Sequence, residues 1–322
     1  MTMQDRPLTS SEIRDRRATV EAMMAPTEQV PAALRNMWSD LSVNRRAPVQ
    51  FVERDSVERP GSIAGHRPPW VGASLKPKAA VRRPAPRVVH RGVGLEPMVV
   101  WGADDRRVYS DVLYPWVCVC RIETSGGVGS GVIIGPRHVL TASHVIDWNT
   151  GAATIEVHRA GGMVLASAQA EATWSYTRVI DNDSTTLDED YAVIVTDQRL
   201  GDRFGFFGVR TYDSDWDDEP YWRSIGYPTD IAGGNFPVYQ RDKSLDEDEW
   251  DYGSARAMTT SADVMKGQSG SPIFGFWGND PNPYVVAVVA ATGSVYASGT
   301  ENWCSGGSLL TRLVDVARTN DP

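Results

Sequence analysis

The sequence predicts an all-β fold, a barrel or sandwich of short strands that ends in one helix. Three observations predict it. From about residue 98, short runs rich in β-branched residues recur between turns of Gly, Asn, Asp and Pro. Helical spacing of apolar residues returns only at residues 309–318. The chain has 322 residues, 41% of them hydrophobic, which is enough for a sizeable core and suits two small β-barrels.

The first 58 residues are predicted to form a short helical region. Thr9 to Glu12 fits a capping box, in which a hydroxyl accepts a bond from an unpaired amide and the glutamate reaches back. Apolar residues follow at helical spacing: Ile13, Val20 and Met24. A second helix is predicted to begin at Pro31, with an apolar face formed by Leu34, Trp38 and Leu41.

Residues 59–97 are predicted to form an extended basic linker. Seven prolines oppose regular structure, and eight Lys or Arg residues precede the first acidic residue, Glu96. Residues 1–97, here called the front, carry 16 Lys and Arg against 10 Asp and Glu, a net charge of +6. Residues 98–322, the body, carry 16 against 31, a net charge of −15. We therefore expect the front to be held near the body and to regulate it.

The body contains six clear strand predictions before the last helix. Each is a short apolar or β-branched run between turn residues. They are residues 116–122, 131–134, 153–158, 191–195, 271–274 and 284–291. The sequence therefore divides into a helical region at 1–58, a linker at 59–97 and a β domain at 98–322.

Composition excludes several classes of protein. No stretch of 18 or more apolar residues occurs, so no membrane span is expected, and the polar start does not resemble a secretory signal. Three cysteines, Cys118, Cys120 and Cys304, are too few for a disulfide scaffold. The protein is therefore expected in a reducing compartment, and the sequence predicts a cytoplasmic location.

Three segments carry residues suited to chemistry. Gly-Gln-Ser-Gly-Ser-Pro at residues 267–272 sets Ser269 in a tight turn, where the amides of Gly267 and Ser269 can point to a common oxyanion site. His144 ends one predicted strand, and Asp190 opens a buried one. Serine is a weak nucleophile until a base takes its proton, and the base needs a third group to orient it. The sequence therefore predicts Ser269 as nucleophile, His144 as base and Asp190 as its orienting partner.

With these motifs in this order, the chain resembles the chymotrypsin-fold serine proteases, most closely the bacterial branch similar to glutamyl endopeptidases. Further matches are Trp-Gly-Ala-Asp-Asp-Arg at 101–106, Gly-Ser-Gly-Val-Ile-Ile at 129–134 and Gly-Tyr-Pro at 226–228. The resemblance covers about residues 98–318. It implies two six-stranded antiparallel β-barrels with the triad in the cleft between them. It also implies a serine endopeptidase that works through an acyl-enzyme on protein or peptide substrates, without a cofactor.

Two departures from the family pattern bear on activation. Position 268 is Gln, where the animal enzymes have an Asp that pairs with a freed amino terminus, so that pairing is excluded here. The family's usual disulfides cannot form, because Val145 follows the histidine and Met265 lies in the loop before the nucleophile.

Two features of the expected substrate pocket disagree. Relatives that prefer glutamate usually carry a histidine shortly before a glycine, but here the pocket wall is Ala291, Thr292 and Gly293. Asp263 lies six residues before Ser269, the offset at which a basic-specific member places its pocket carboxylate. An Asp also occurs there in relatives that do not choose basic residues. The sequence favours cleavage after Arg or Lys over Glu, and a structural role of Asp263 stays open.

Other functions are weaker interpretations of the same sequence. The acidic run at residues 242–251 lacks the ligand spacing and central glycine of a calcium loop, so no metal site is expected. The basic linker lacks interleaved aromatic residues, so nucleic-acid binding is not expected. Two rivals remain: a catalytically silent binding module with a protease fold, and an effector protease recruited by a regulatory partner through the helices of residues 1–58.

Overall fold

The computed structural model describes residues 6–23, 25–39, 46–54, 60–78, 100, 104–179, 186–247, 254–292 and 302–322. The α-helices are α1 Ser10–Met23, α2 Leu200–Phe204 and α3 Ser308–Asn320. The strands of the front and the first part of the body are β1 Val49–Phe51, β2 Ser62–Ile63, β3 Arg107–Val108, β4 Val119–Thr124, β5 Gly127–Gly135, β6 His138–Thr141, β7 Thr154–Val157, β8 Ala166–Ser175 and β9 Ala192–Thr196. The later strands are β10 Gly208–Arg210, β11 Trp222–Gly226, β12 Val238–Lys243, β13 Leu245–Glu247, β14 Ala255–Thr260, β15 Pro272–Gly275, β16 Tyr284–Thr292 and β17 Asn302–Gly307.

The first part of the body forms a closed six-stranded barrel. Its sheet runs in the order β1-β8-β7-β4-β5-β6-β9, and β8 also pairs with β9, which closes the ring of β4 to β9. Strand β1, from the front, adds to β8 from outside in a parallel pair. Ile122, Val132, Leu140, Ile155 and Val193 are completely buried, so the alternation of apolar residues along these strands fills the core.

The second part of the body forms a half-barrel. Its sheet runs in the order β13-β14-β17-β16-β15-β11-β12-β3. Strand β12 pairs with β3 at one end of this order, and β13 pairs with β14 at the other. The expected double-barrel fold is confirmed, and it consists of a closed six-stranded barrel and a half-barrel.

The helix predicted at residues 309–318 is α3, Ser308–Asn320. Its buried face is formed by Leu309, Leu310, Leu313, Val314 and Ala317. Burying each leucine or valine contributes about 1.5–3 kcal/mol. Beside α3, the buried His138 ring bonds the Ala317 carbonyl oxygen through Nε2 at 3.1 Å, which ties the helix to β6 of the first barrel.

The front contains the first predicted helix but not the second. The capping box forms, because the Thr9 amide donates to Glu12 Oε2 at 2.8 Å and the Glu12 amide donates to Thr9 Oγ1 at 3.3 Å. Ile13 is buried behind it, whereas the Val20 side chain and Met24 lie outside the described residues.

The helix predicted from Pro31 is wrong: only a 3-10 turn forms there, Ala32–Leu34. Beyond it, the Ser39 amide donates to the Ser167 carbonyl oxygen at 3.2 Å, and the Ser167 amide donates to the Met37 carbonyl oxygen at 3.1 Å. Pairing with the unoccupied side of β8 thus replaces helical hydrogen bonds. Trp38 is 55% exposed, and Leu41 lies outside the described residues.

Part of the predicted linker lies against the body. Strand β2 pairs with β10, and the Ser74 amide donates to the Tyr114 carbonyl oxygen at 2.9 Å. Leu75 is buried, so residues 60–78 are packed although they are rich in proline. Residues 79–97 of the linker lie outside the described residues. None of the helices in the described part of the chain is long and apolar enough to span a membrane.

Candidate active site

His144 and Asp190 stand at the same edge of the first barrel. Strand β6 pairs antiparallel with β9, with Thr141 opposite Ala192, so the residues that follow β6 lie beside those that precede β9. His144 sits in a short turn after β6, and Asp190 comes just before β9. His144 Nδ1 is 2.6 Å from Asp190 Oδ2, and the His144 amide donates to Asp190 Oδ1 at 2.9 Å. Two bonds therefore fix the carboxylate relative to the imidazole.

This pairing sets the tautomer and the basicity of His144. Because a carboxylate can only accept, Nδ1 carries the proton and Nε2 is left as an acceptor for a hydroxyl. Burial lowers the pKa of His144, but the charge and hydrogen bond of Asp190 raise it further, so the pKa lies above its ordinary value. Asp190 is completely buried, which keeps water from competing for the bond.

The turn that carries Ser269, residues 265–270, is called the nucleophile turn. Gly267 and Gly270 have φ of +93° and +81°, conformations that strongly favour glycine. A Cβ at Gly270 would lie 2.2 Å from Thr141 Oγ1, at the end of the strand that leads to His144. The close packing at Gly270 therefore brings the turn of the second barrel next to the histidine of the first.

Ser269 is placed by its backbone. Its carbonyl oxygen accepts from the Ser130 amide at 2.8 Å, and the next amide, Gly270, donates to the Val289 carbonyl oxygen at 2.8 Å. The hydrogen bonds of the described residues do not include one between Ser269 Oγ and His144 Nε2. Such bonds are often long before substrate binds. The structure thus joins His144 to Asp190 directly and brings Ser269 to them through the packing of its turn.

The peptide between Lys266 and Gly267 is held in one orientation. The Lys266 carbonyl oxygen accepts from the Thr229 amide at 2.7 Å and from Thr229 Oγ1 at 3.0 Å. In a trans peptide the N–H points opposite to the C=O, so the Gly267 amide points away from Thr229. Within the described residues, neither the Gly267 nor the Ser269 amide donates to a protein group. Both donors named for the oxyanion site are thus available to a substrate.

Ser130 is a site residue that sequence reasoning missed. Its side chain is completely buried; Oγ donates to the Gly267 carbonyl oxygen at 2.7 Å and accepts from the Tyr227 amide at 2.9 Å. Ser130 and Tyr227 both lie in family motifs noted above, so the motifs were seen but the contact between them was not. The pattern Gly-Ser-Gly at 129–131 was the available signal, since a small polar residue between glycines suits a close approach of two backbones.

The predicted pocket residues are only partly described. Asp263 is completely buried, and its Oδ2 accepts from the Asp105 amide at 3.3 Å. Ala291 and Thr292 end strand β16, but their side chains and Gly293 lie outside the described residues. The acidic run once considered for calcium is described only as far as residue 247. In the described residues, no group of three or more His, Cys, Asp or Glu side chains is placed to hold a metal ion.

Parts of this chain are similar to known proteins. Residues 129–278 match the family described as trypsin-like peptidase domain. The glutamyl endopeptidase of Bacillus licheniformis is 27% identical over 190 residues, 54% of this chain and 54% of that protein, so the chain spans about half the length of this relative.

The fold has a counterpart among solved structures. A Glu endopeptidase in complex with MPD superposes with a TM-score of 0.56 at 20% identity, covering 69% of this chain and 100% of that one. That likeness shows the chymotrypsin-like double-barrel fold. The chain therefore has a chymotrypsin-like double-barrel fold, and its residues 129–278 match the trypsin-like peptidase domain.

Proposed function

We propose that this protein is a serine endopeptidase that hydrolyses peptide bonds through an acyl-enzyme on Ser269. The observation that carries the proposal is the doubly bonded pair of His144 and Asp190, with the nucleophile turn packed beside it. The protein or peptide substrate binds at the cleft between the barrel and the half-barrel. The rival interpretation, a silent binding module, would leave the paired histidine and the available amides without a use.

The reaction follows from the roles of these groups. Ser269 Oγ attacks the peptide carbonyl carbon while His144 Nε2 takes the hydroxyl proton. The amides of Gly267 and Ser269 donate to the oxygen that becomes negative, and Asp190 stabilises the imidazolium. His144 then gives its proton to the leaving amine, which breaks the peptide bond and leaves an ester on Ser269. Water, activated by His144, hydrolyses that ester, so the cycle needs no cofactor.

The location and specificity remain part of the proposal. The three cysteines are buried and unpaired, which supports the cytoplasmic location expected from the sequence. The bond from the Asp105 amide occupies one oxygen of Asp263, which supports the structural role that the sequence left open. The relative named above is a glutamyl endopeptidase, and this name supports acidic over basic preference. We therefore favour an anchoring role for Asp263.

The front contacts the turn that carries Asp190. Arg54 of the front lies 2.5 Å from Glu189, the residue before Asp190, and Phe51 stacks on Trp148 with ring centroids 5.9 Å apart. We propose that the front regulates the protease through this contact, and that residues 1–58 bind a regulatory partner. Through these contacts, a partner bound to residues 1–58 can affect the position of Asp190 and thereby of His144.

Helix α1 does not cover the cleft. The Leu8 amide donates to the Phe276 carbonyl oxygen at 2.7 Å, so α1 docks past the end of β15 that lies away from Ser269. The four-residue strand β15 separates the two points, a length of about 13 Å. This placement supports display of α1 to a partner rather than plugging of the active site.

The first prediction concerns the nucleophile. A fluorophosphonate probe should label Ser269, and Ser269→Ala should abolish labelling and lower kcat by about 10⁵-fold or more, because the covalent step is lost. The matched control, Ser261→Ala on an exposed turn, should be labelled like the unaltered protein. Intact-protein and peptide mass spectrometry report the labelled site. A folded, unaltered protein that is neither labelled nor active on a diverse peptide pool would favour the silent binding module.

The second prediction concerns pH. Because catalysis needs neutral imidazole and Asp190 raises the pKa of His144, kcat/KM should rise with pH through a midpoint above about 6.5. Asp190→Asn removes the raising charge, so the midpoint of the remaining activity should move to lower pH, with kcat reduced by about 10⁴-fold. Rate profiles between pH 5 and 9 measure both. An unchanged midpoint in the variant would mean that Asp190 does not set the basicity of His144.

The third prediction concerns Asp263. If it anchors the chain at Asp105, then Asp263→Asn should lower the melting temperature and leave the order of preferred residues at the cleaved bond unchanged. The order is obtained from cleavage sites in a peptide pool, read by mass spectrometry. Dominant cleavage after Arg or Lys that Asp263→Asn selectively removes would instead establish the basic pocket expected from the sequence.

The fourth prediction concerns the front. A recognition sequence for a specific protease is inserted between residues 85 and 90, and turnover is compared before and after the cut. Once the covalent link is broken, salt can screen the attraction between the +6 front and the −15 body. We expect the turnover of the cut protein to change with ionic strength by about threefold or more, while that of the uncut protein changes little. Equal salt profiles would contradict regulation by the front.

A further inference from the structure

Arg106 is a buried charge with a complete set of partners close to the nucleophile turn. The side chain is 1% exposed. Its guanidinium bonds Asp104 at 2.8 and 3.0 Å and Asp230 at 2.6 and 3.0 Å. Burial lowers the pKa of Arg106, but these two carboxylates raise it well above its ordinary value. Burying an unpaired ion costs several kcal/mol, so the two carboxylates are what allow the guanidinium to be buried at this place.

The same guanidinium reaches the residue before the nucleophile. Arg106 NH1 donates to Gln268 Oε1 at 3.3 Å, and the Met265 amide donates to the same oxygen at 2.9 Å. Gln268 Nε2 donates to the Asp263 carbonyl oxygen at 3.3 Å. Two donors meet at Oε1 and an acceptor faces Nε2, which fixes the orientation of the amide. The Gln268 side chain thus braces the nucleophile turn from inside, and Arg106 holds Gln268.

Arg106 also reaches the other support of the turn. Asp230, its second carboxylate partner, follows Thr229, whose amide and hydroxyl hold the Lys266 carbonyl oxygen. Arg106 itself lies just before β3, which pairs with β12 of the half-barrel. A single guanidinium is therefore bonded to the start of the body, to the segment that orients the Gly267 amide, and to the residue between the two oxyanion donors.

We propose that Arg106 is a positioning residue that holds the nucleophile turn in its substrate-binding conformation without a freed amino terminus. This inference rests on the proposed function, because it concerns the oxyanion site of the same reaction. Gln268 cannot form an ion pair with an amine, and a guanidinium that belongs to the folded chain is present whether or not the front is cut. The oxyanion site is therefore complete in the uncut protein.

The experiment compares two buried arginines, each paired with two carboxylates. Arg121, in the first barrel, pairs with Glu123 and Glu156 and serves as the control. In Arg106→Met, kcat should fall about 10²-fold with KM within about twofold, since oxyanion donors act in the transition state. Binding of a peptide boronate should weaken by the same factor as kcat/KM. Arg106→Lys should restore part of the loss, and Arg121→Met should stay within about twofold of the unaltered protein.

A second variant covers the case in which Arg106→Met does not fold. Gln268→Met keeps both ion pairs of Arg106 but removes the acceptor, and it should show the same loss of kcat and of boronate binding. Hydrogen exchange of the peptide covering residues 264–271 should also be faster in both variants than in Arg121→Met. This exchange readout does not depend on catalysis.

The outcomes separate this inference from the proposed function. An unaltered protein without activity or labelling would contradict the proposed function. The hydrogen-exchange measurement would still decide whether Arg106 holds the nucleophile turn. An active protein in which Arg106→Met or Gln268→Met keeps its kcat and boronate affinity would overturn only the inference. Equal losses in Arg106→Met and Arg121→Met would also overturn it, because they would show a general effect on stability.

Discussion

The hydrogen bonds of Ser130 are the interaction on which the candidate site depends, because they join the two halves of the body at the nucleophile turn. His144 and Asp190 belong to the first barrel, whereas Ser269 belongs to the half-barrel. Reacting groups must be placed to within a fraction of an ångström for catalysis, so the two halves need a rigid contact at this point. Ser130 supplies three buried bonds there: to the Ser269 and Gly267 carbonyl oxygens and from the Tyr227 amide.

The residues around Ser130 are small because neighbouring groups leave no room for a side chain. A Cβ at Gly129 would lie 2.7 Å from Val145 Cγ1, beside His144, and a Cβ at Gly131 would lie 2.7 Å from Ile122 Cδ1. On the other side, a Cβ at Gly267 would lie 2.4 Å from the Tyr227 carbonyl oxygen. Gly129 and Gly131 thus meet groups of the first barrel and Gly267 meets the half-barrel, whereas a Cβ at Gly270 would lie 2.3 Å from the Ser130 carbonyl oxygen, across the contact between the two halves. A larger residue at Gly270 would therefore move the turn of Ser269 away from the barrel that carries His144.

Local signals in the sequence predicted local structure and failed where a distant partner decided the outcome. The capping box at Thr9 and the last helix rest on neighbours in the chain, and both form. The helix expected from Pro31 does not form, because residues 37–39 pair instead with the unoccupied side of β8, about 130 residues away. The order of His144, Asp190 and Ser269 was recognisable because each lies in its own short motif. Their geometry was not, because it depends on pairing between β6 and β9.

The supports of the site were hidden from the sequence for the same reason. Ser130 and Gly267 are 137 residues apart, and Arg106 and Gln268 are 162 apart. The neighbours of a residue in the sequence do not indicate which distant carbonyl or amide it will contact. What the sequence did show was Gln268 at the position where the animal enzymes have an Asp, and this departure excluded pairing with a freed amino terminus.

The nucleophile turn and the turn before Asp190 therefore differ in how easily a partner could change them. With Arg106 in the role inferred above, the nucleophile turn is held by a guanidinium that carries its charge at any physiological pH. A partner protein or a cut in the chain would therefore change the nucleophile turn little. The turn before Asp190 is different, because Glu189 is bonded to Arg54, an exposed residue of the front. An ion pair with one exposed member is worth little in free energy and is easily rearranged. The regulation proposed above would therefore act on the orientation of the base and not on the oxyanion site.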